Sequence, residues 1–234
     1  LSDELMPLLY IQGSSRRITT VHTVNTITFP SATNTANLLN VYTVWRPATQ
    51  TISAVSDNAT NVWTGSTQLV TGGAAGSVRS QLFFQQGASA GATIVSVAFS
   101  QAVSNDCCFI SEHSGVVGIG ALDVIAVGSG ASAAPLTSSI TINQAEELLY
   151  CGVGVGGAVT VTSGGGFTSR LIIDGTNPSG GMEDQFSTVA QAFTGGWTLS
   201  VSDTWSCIFA TFKAATAAAV VAAAAVDESY VMVA

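Results

Sequence analysis

Charged side chains are the scarcest feature of this sequence, since Asp, Glu, Lys and Arg make up only 9 % of its 234 residues. Soluble domains usually contain about a quarter. The six cations are spread along the chain, and Lys213 is the single lysine. With a formal net charge of −8, the sequence lacks the basic patch by which proteins bind nucleic acid or an anionic membrane. The 47 % of hydrophobic residues excludes a disordered chain and supplies material for a core.

Long apolar runs are also missing. No stretch of eighteen strongly apolar residues occurs, so the sequence indicates no membrane-spanning helix. The nearest approach is residues 214–226, which are too few and mostly alanine. The first five residues are acidic rather than basic, so no secretory signal is visible, and export is neither indicated nor excluded.

Cysteine is limited to four residues, Cys107, Cys108, Cys151 and Cys207. Each lies in an apolar run, and we expect buried free thiols, because cysteine is among the most often buried residues. A disulfide between two of the three cysteine-bearing strands is the alternative, and the sequence alone cannot supply its connectivity. Zinc is disfavoured, because neighbouring cysteines on a strand face opposite ways and no CxxC or histidine pair completes a tetrahedral set.

Short runs of β-branched and aromatic residues, separated by Gly, Asn, Asp and Ser, recur through the chain and are typical of antiparallel β proteins. In residues 93–100 the period of two is clear, because Val95, Val97 and Phe99 share one face. About a dozen strands bury their apolar sides if they fold into two facing sheets. We therefore predict an all-β, antiparallel β-sandwich of jelly-roll type over residues 16–213. We expect one strand to cover residues 18–29, and we expect the same interior to include Trp205, Cys207 and Phe209.

The two ends of the chain differ from the middle and are predicted to be arms, at residues 1–15 and 214–234. The first is an apolar segment before a hinge at Gly13-Ser14-Ser15. The second is rich in alanine and is predicted to be extended or a short helix. Neither arm can form a core of its own, so we expect both to pack on a neighbouring subunit. The predicted assembly residues are Leu5, Leu8, Leu9, Val220, Val221, Val226, Tyr230, Val231 and Val233.

The order of segments between residues 28 and 213 resembles a known family. The matching pieces are residues 28–32, 36–39, 55–64, 81–84, 93–99, 110–116, 121–123, 146–149, 166–168, 182–185 and 205–213. They look like the jelly-roll, lectin-like β-sandwich modules of secreted bacterial proteins and of some bacteriophage structural proteins. The resemblance implies a β-sandwich that serves in binding, display or assembly. It carries over no catalytic residue, and it leaves out both terminal arms.

Residues suited to catalysis are few. Of the two histidines, His22 is expected to point to solvent, and His113 follows Glu112 on a strand, so the two side chains face opposite ways. No G-x-S-x-G motif occurs, and the glycine-rich run at residues 152–157 is not followed by the helix of a dinucleotide-binding fingerprint. No spacing places two carboxylates across a glycosidic bond. We therefore predict no enzyme, no catalytic residue, no cofactor and no metal site.

Two surface features bear on ligands. Asp57, Asn58 and Asn61 crowd one turn and could offer oxygens to calcium, but we favour the interpretation that they cap their own backbone as an Asx-turn. Trp63 lies close to the same turn and is the candidate aromatic for stacking on a sugar.

Low charge, apolar arms and a β-sandwich favour a non-enzymatic structural protein. We predict a virion surface or capsid decoration subunit, or an extracellular fibre subunit, that binds copies of itself or a larger protein shell through its arms. The alternative is a carbohydrate-binding module of a secreted bacterial protein, whose partner is a glycan. A hydrolase is a third option, and it requires two facing carboxylates in a cleft.

Overall fold

A computed structural model describes residues 7–47, 49–66, 69–70 and 78–215. These residues form antiparallel β-sheets and contain no helix, which confirms the predicted all-β class. The first nine strands are β1 (Leu9–Ile18), β2 (His22–Thr28), β3 (Leu38–Arg46), β4 (Ile52–Asp57), β5 (Thr64–Gly65), β6 (Leu69–Val70), β7 (Arg79–Gln85), β8 (Ile94–Val103) and β9 (Asn105–Ser114). The second nine are β10 (Leu122–Ser132), β11 (Ile140–Thr141), β12 (Glu146–Val155), β13 (Val161–Ser163), β14 (Thr168–Ile173), β15 (Ser179–Thr188), β16 (Ala192–Phe193), β17 (Trp197–Leu199) and β18 (Asp203–Lys213).

The chain consists of two halves that repeat one strand arrangement. In the first half, residues 9–114, the larger sheet has the order β1-β9-β3-β7-β5, and β6 also pairs with β7. In the second half, residues 122–213, the larger sheet has the equivalent order β10-β18-β12-β15-β14. We call these the first and second inner sheets. A smaller outer sheet, β2-β8-β4, covers the first, and two short pairs, β11-β16 and β13-β17, cover the second.

The repeat extends to detail within the strands. β1 and β10, the equivalent edge strands, each have an irregularity near one end, between Tyr10 and Gln12 in β1 and between Leu122 and Ile125 in β10. The residue pair just before it is Tyr10–His113 in the first half and Leu122–Phe212 in the second. His113 and Phe212 are therefore equivalent positions.

Three apolar clusters separate four layers of β-structure. The central cluster lies between the two inner sheets, and its aromatic members are Tyr42, Phe84, Phe109, Tyr150 and Phe212. A second cluster lies between the first inner sheet and its outer sheet, and a third lies on the far side of the second inner sheet. The inner sheets are thus buried on both faces, which explains why β3, β9, β12 and β18 are almost continuously buried.

Glycines let the inner sheets approach each other closely. A Cβ at Gly152 would lie 2.7 Å from the ring of Tyr42, and one at Gly154 would lie 2.6 Å from a methyl group of Val44. The residues of β12 that face β3 are therefore small where those of β3 are large. Away from this contact, β1 of the first half lies against β14 of the second, and β10 of the second half lies against β6 of the first.

Three details of the sequence interpretation are wrong. The expected hinge at Gly13-Ser14-Ser15 lies inside β1, because these residues pair with β9. The strand expected over residues 18–29 is divided, since β1 ends at Ile18 and β2 begins at His22. Buried Trp205 belongs to the third cluster and buried Val95 to the second, because each half encloses a core of its own.

Candidate functional site

Most of the predicted assembly residues lie outside the described part of the chain. This holds for Leu5 and for the six residues of the second arm, Val220, Val221, Val226, Tyr230, Val231 and Val233. Leu8 is half-buried and packs against the central cluster. Leu9 begins β1 and is 49 % exposed. Leu8 thus packs toward the central cluster, whereas Leu9, the first residue of β1, is exposed to solvent.

Trp63 is half-buried and packs against the second cluster. Its Nε1–H donates to Oδ2 of Asp57 at 2.9 Å. The other oxygen of Asp57 accepts the backbone N–H groups of Ala59 (2.8 Å) and Asn61 (3.2 Å). This is the Asx-turn chemistry that we favoured over calcium, and it fixes the indole at the turn.

His22 is not the solvated side chain that the alternation predicts. Its side chain is largely buried, and Nε2 lies 3.1 Å from Oδ1 of Asp106. Nδ1 lies 2.7 Å from the carbonyl oxygen of Thr20, which can only accept, so Nδ1 carries a proton. Burial raises the pKa of the Asp106 carboxyl, against the lowering effects of the hydrogen bond from Asn25 and of His22.

Glu112 and His113 face opposite ways, as their neighbouring positions on a strand require. Glu112 is fully buried on the side of the outer sheet. Its carboxylate accepts Nε2–H of Gln12 (2.6 Å), Nδ2–H of Asn37 (2.7 Å), and both the backbone N–H (2.7 Å) and Nδ2–H (3.3 Å) of Asn34. Glu112 therefore anchors the connection between β2 and β3, and both of its carboxylate oxygens accept hydrogen bonds there.

His113 points into the interface between the inner sheets. Its Nε2 lies 2.9 Å from Oδ2 of Asp184, which comes from β15 of the other half. Nε of Arg170 donates to both oxygens of Asp184, at 2.9 and 3.0 Å. The Arg170 guanidinium also lies 4.6 Å from the centre of the Tyr10 ring, which meets His113 edge to face. These four residues form the interface cluster, a chain of contacts that joins the two halves.

The equivalent position on the other side of the interface is apolar. His113 corresponds to Phe212, as shown above, and the sheet registers make Asp184 the equivalent of Phe84. Phe84 and Phe212 meet edge to face, with ring centres 5.4 Å apart. The fold therefore accepts either a pair of phenylalanines or a histidine–carboxylate pair at this place. The interface cluster is a feature of one side and not a general requirement of the repeat.

A half-open groove of about 280 Å³ lies on the outer side of the second half. Its walls are Leu136, Phe167 and Trp197, and its lining also includes three glycines, Ala134 and two threonine hydroxyls. Gly164 is wedged into the floor, because a Cβ there would lie 2.2 Å from the carbonyl oxygen of Gly196. The groove thus combines aromatic and apolar walls with small polar groups.

Buried polar groups lie directly beneath this groove. Glu183 is fully buried; Oε2 accepts the N–H of Gly164 at 2.8 Å, and Oε1 has no hydrogen-bond partner in the described part of the chain. Burial raises the pKa of Glu183 to about 8, against the lowering effects of the Gly164 N–H and of the Cys151 thiol. Nε1–H of Trp197 is also buried without an acceptor. Cys151 lies beside both groups, and its Sγ is 3.5 Å from Sγ of Cys207.

The cysteines are all buried and free, which confirms the expected burial. Burial raises the pKa of Cys151 and Cys108 well above the ordinary value. Cys107 and Cys108 face opposite sides of β9, one in the central cluster and one in the second. Among the described residues, no group of three or more His, Cys, Asp or Glu side chains could hold a metal ion.

The sequence interpretation missed the interface cluster and the groups beneath the groove. Asp184 and His113 are 71 residues apart, and Cys151 and Cys207 are 56 apart, so only the pairing of distant strands brings them together. The glycine run at residues 164–166 gives no sign in the sequence of the carboxyl group beneath it. Comparison of the chain with protein-family models, with curated proteins and with solved structures finds no match.

Proposed function

We propose that this protein is a non-enzymatic structural subunit that assembles with copies of itself or with a larger protein shell. The proposal includes its use at a virion surface, as a capsid decoration subunit, or in an extracellular fibre. The observation that carries it is the position of Pro7 and Ala215, the first and last described residues, beside an open sheet edge. No helix among the described residues is long and apolar enough to span a membrane.

The first and last residues that the structure describes, Pro7 and Ala215, lie at one place on the fold. The carbonyl of Pro7 lies so close to Gly115 that a Cβ there would be 2.3 Å away. The N–H of Ala215 donates to the carbonyl oxygen of Gly115 at 2.7 Å. Pro7 and Ala215 therefore both lie beside the link between the halves. This common position suits a joint use of the two predicted arms in binding a neighbour.

The adjacent edge strand is suited to such a contact. Within the described residues, β1 pairs only with β9, so one row of its backbone N–H and C=O groups is open. Two large apolar side chains on this strand, Leu9 and Ile11, are 49 % and 40 % exposed. An open, apolar edge strand is the usual site at which a second chain adds a strand.

The proposal also assigns each half to the jelly-roll type. Successive strands pass between inner and outer sheets, and the first and last strands of each half lie side by side, β1 with β9 and β10 with β18. These features support a jelly roll, in which the strands of two facing sheets are connected in this way. Two such units, packed against each other in one chain, fit a subunit of a shell or fibre.

Deletion and edge variants test the proposal. We expect the full chain to sediment as an assembly, and a chain ending at residue 215 to stay folded but remain monomeric. Leu9→Lys with Ile11→Lys should weaken assembly, because charges on an edge strand oppose strand addition. Val201→Lys is the matched control, since Val201 is 56 % exposed. It lies just before the first residue of β18, whereas Ala215 lies just after the last. Assembly that survives both the deletion and the edge variant contradicts the proposal.

The groove favours carbohydrate binding as a second candidate function. Aromatic walls beside hydroxyl groups are the usual composition of a sugar site, and here Trp197 and Phe167 supply the walls. The half-buried Trp63 is less available, because its indole packs on the second cluster. A polysaccharide pull-down with wild type and Phe167→Ala tests this candidate. Binding that Phe167→Ala abolishes supports it, and absence of binding to every glycan tested rejects it.

A further inference from the structure

The buried groups beneath the groove form an arrangement that neither proposed function uses. Two thiols, Cys151 and Cys207, have their sulfur atoms 3.5 Å apart on neighbouring strands. A carboxyl group and an indole N–H, from Glu183 and Trp197, lie beside Cys151, and each has a polar atom without a hydrogen-bond partner in the described residues. We propose that this dithiol is a redox site, at which a small peroxide converts Cys151 and Cys207 into a disulfide.

The geometry suits each thiol to a different step. Cys151 is the thiol next to the carboxyl and the indole, so it is the one that can give its proton to Glu183 once that carboxyl is ionised, above a pH of about 8, and whose sulfur lies beside the Trp197 N–H. Cys207 is the only other cysteine within contact of Cys151, since Cys107 and Cys108 belong to β9 in the other half. Cys151 therefore reacts with the peroxide and Cys207 resolves the product.

The steps balance in atoms and electrons. Above a pH of about 8, where Glu183 has lost its own proton, the Cys151 thiol gives its proton to the Glu183 carboxylate, and the thiolate sulfur attacks one oxygen of hydrogen peroxide. The O–O bond breaks, the other oxygen leaves as water with the proton, and Cys151 becomes a sulfenic acid. The Cys207 sulfur then attacks Cys151, the S–S bond forms and a second water leaves. In sum, two thiols lose two hydrogen atoms, and one peroxide is reduced to two waters.

The groove brings solvent close to the buried thiols. Trp197 and Gly164 line the groove on one side and contact the buried groups on the other, so one layer of residues separates solvent from the site. Glycines at 164, 165 and 196 make this layer thin. A molecule with only two heavy atoms needs a much smaller opening than a maleimide or an aromatic disulfide reagent.

Peroxide treatment of the full, native chain followed by mass spectrometry tests the site. We expect the mass to fall by two hydrogen atoms and the peptides of Cys151 and Cys207 to be joined. With Cys207→Ser, Cys151 should instead gain oxygen, because its sulfenic acid has no resolving thiol. At a pH above about 8, where Glu183 is ionised, Glu183→Gln should slow the reaction by about tenfold or more, as the loss of a positioned base does.

Cys107 and Cys108 supply the internal control, because both are as deeply buried as the reacting pair. The double variant Cys107→Ser, Cys108→Ser should form the same disulfide at the same rate as the wild type. The proposal is overturned if Cys107 or Cys108 is oxidised as fast as Cys151, since that result means reaction through general unfolding. It is also overturned if Cys151 and Cys207 stay reduced at peroxide concentrations that fully oxidise the unfolded chain.

Discussion

Replacing the His113–Asp184 pair with two phenylalanines tests how the halves are held together. The design copies the Phe84–Phe212 contact, which occupies the equivalent place on the other side of the interface. We expect the double variant His113→Phe, Asp184→Phe to lose less than about 1.5 kcal/mol of unfolding free energy, because replacing a buried ion pair with packed apolar groups is often neutral or better. Arg170, whose side chain is 24 % exposed, can turn toward water once its partner is gone.

The single variants should be far more damaging than the double variant. Asp184→Phe removes the partner of fully buried His113 and should cost about 3–5 kcal/mol. His113→Phe leaves Asp184 bonded to Arg170 and should cost about 1–3 kcal/mol. The two singles together then exceed the double by roughly 3 kcal/mol or more, and this difference is the coupling energy of the pair.

Urea unfolding at neutral pH, followed by tryptophan fluorescence, measures these differences. An unchanged dependence on urea concentration would show that the compactness of the two states is preserved. If the double variant loses as much stability as the two singles combined, the proposed equivalence of the two sides of the interface is wrong.

Three further predictions concern single residues. Gly152→Ala should destabilise the fold by about 1–3 kcal/mol in the same unfolding assay, because the new Cβ would lie 2.7 Å from the Tyr42 ring. Gly165→Ala is the control: a Cβ at Gly165 would have no atom within 4 Å, so this variant should change stability by less than about 0.5 kcal/mol. Glu183 keeps its proton in the native state up to a pKa of about 8, above its ordinary value of 4.5, so the native state binds one proton more than the unfolded state between these values. Stability should therefore fall as the pH rises from about 4.5 to about 8, and Glu183→Gln should reduce this slope in melting curves recorded across that range. Trp205→Ala should cost about 3–5 kcal/mol in urea unfolding, because the indole is buried in the third cluster, and an unchanged midpoint would contradict that placement.

The sequence predicted the class of fold because β-strands leave a local signal. The alternation at Val95, Val97 and Phe99 correctly identifies the buried face of β8. Strands of the inner sheets carry a different signal, because they are buried on both faces and so lose the alternation. The continuous apolar run from Cys107 to Ile110 in β9 is an example. Such a run indicates a strand covered on both faces, and therefore more than two layers of β-sheet.

The sequence interpretation missed the repeat, because several equivalent positions carry chemically different residues. Phe84 is replaced by Asp184, and His113 by Phe212, while the strand order and the irregularity in the edge strand are kept. Backbone pairing and the size of the side chains preserve the fold, and they do not require identical residues. The polar clusters were missed for the same reason, since each depends on strands paired over long distances in sequence.

Native mass spectrometry of the full 234-residue chain over a range of concentrations tests most directly whether this protein is an assembling subunit. We expect the full chain to form a defined oligomer, with a mass that is a whole multiple of the monomer mass. Once residues 216–234 are removed, we expect a monomer. A full chain that stays monomeric at every concentration and does not attach to any larger shell would contradict it.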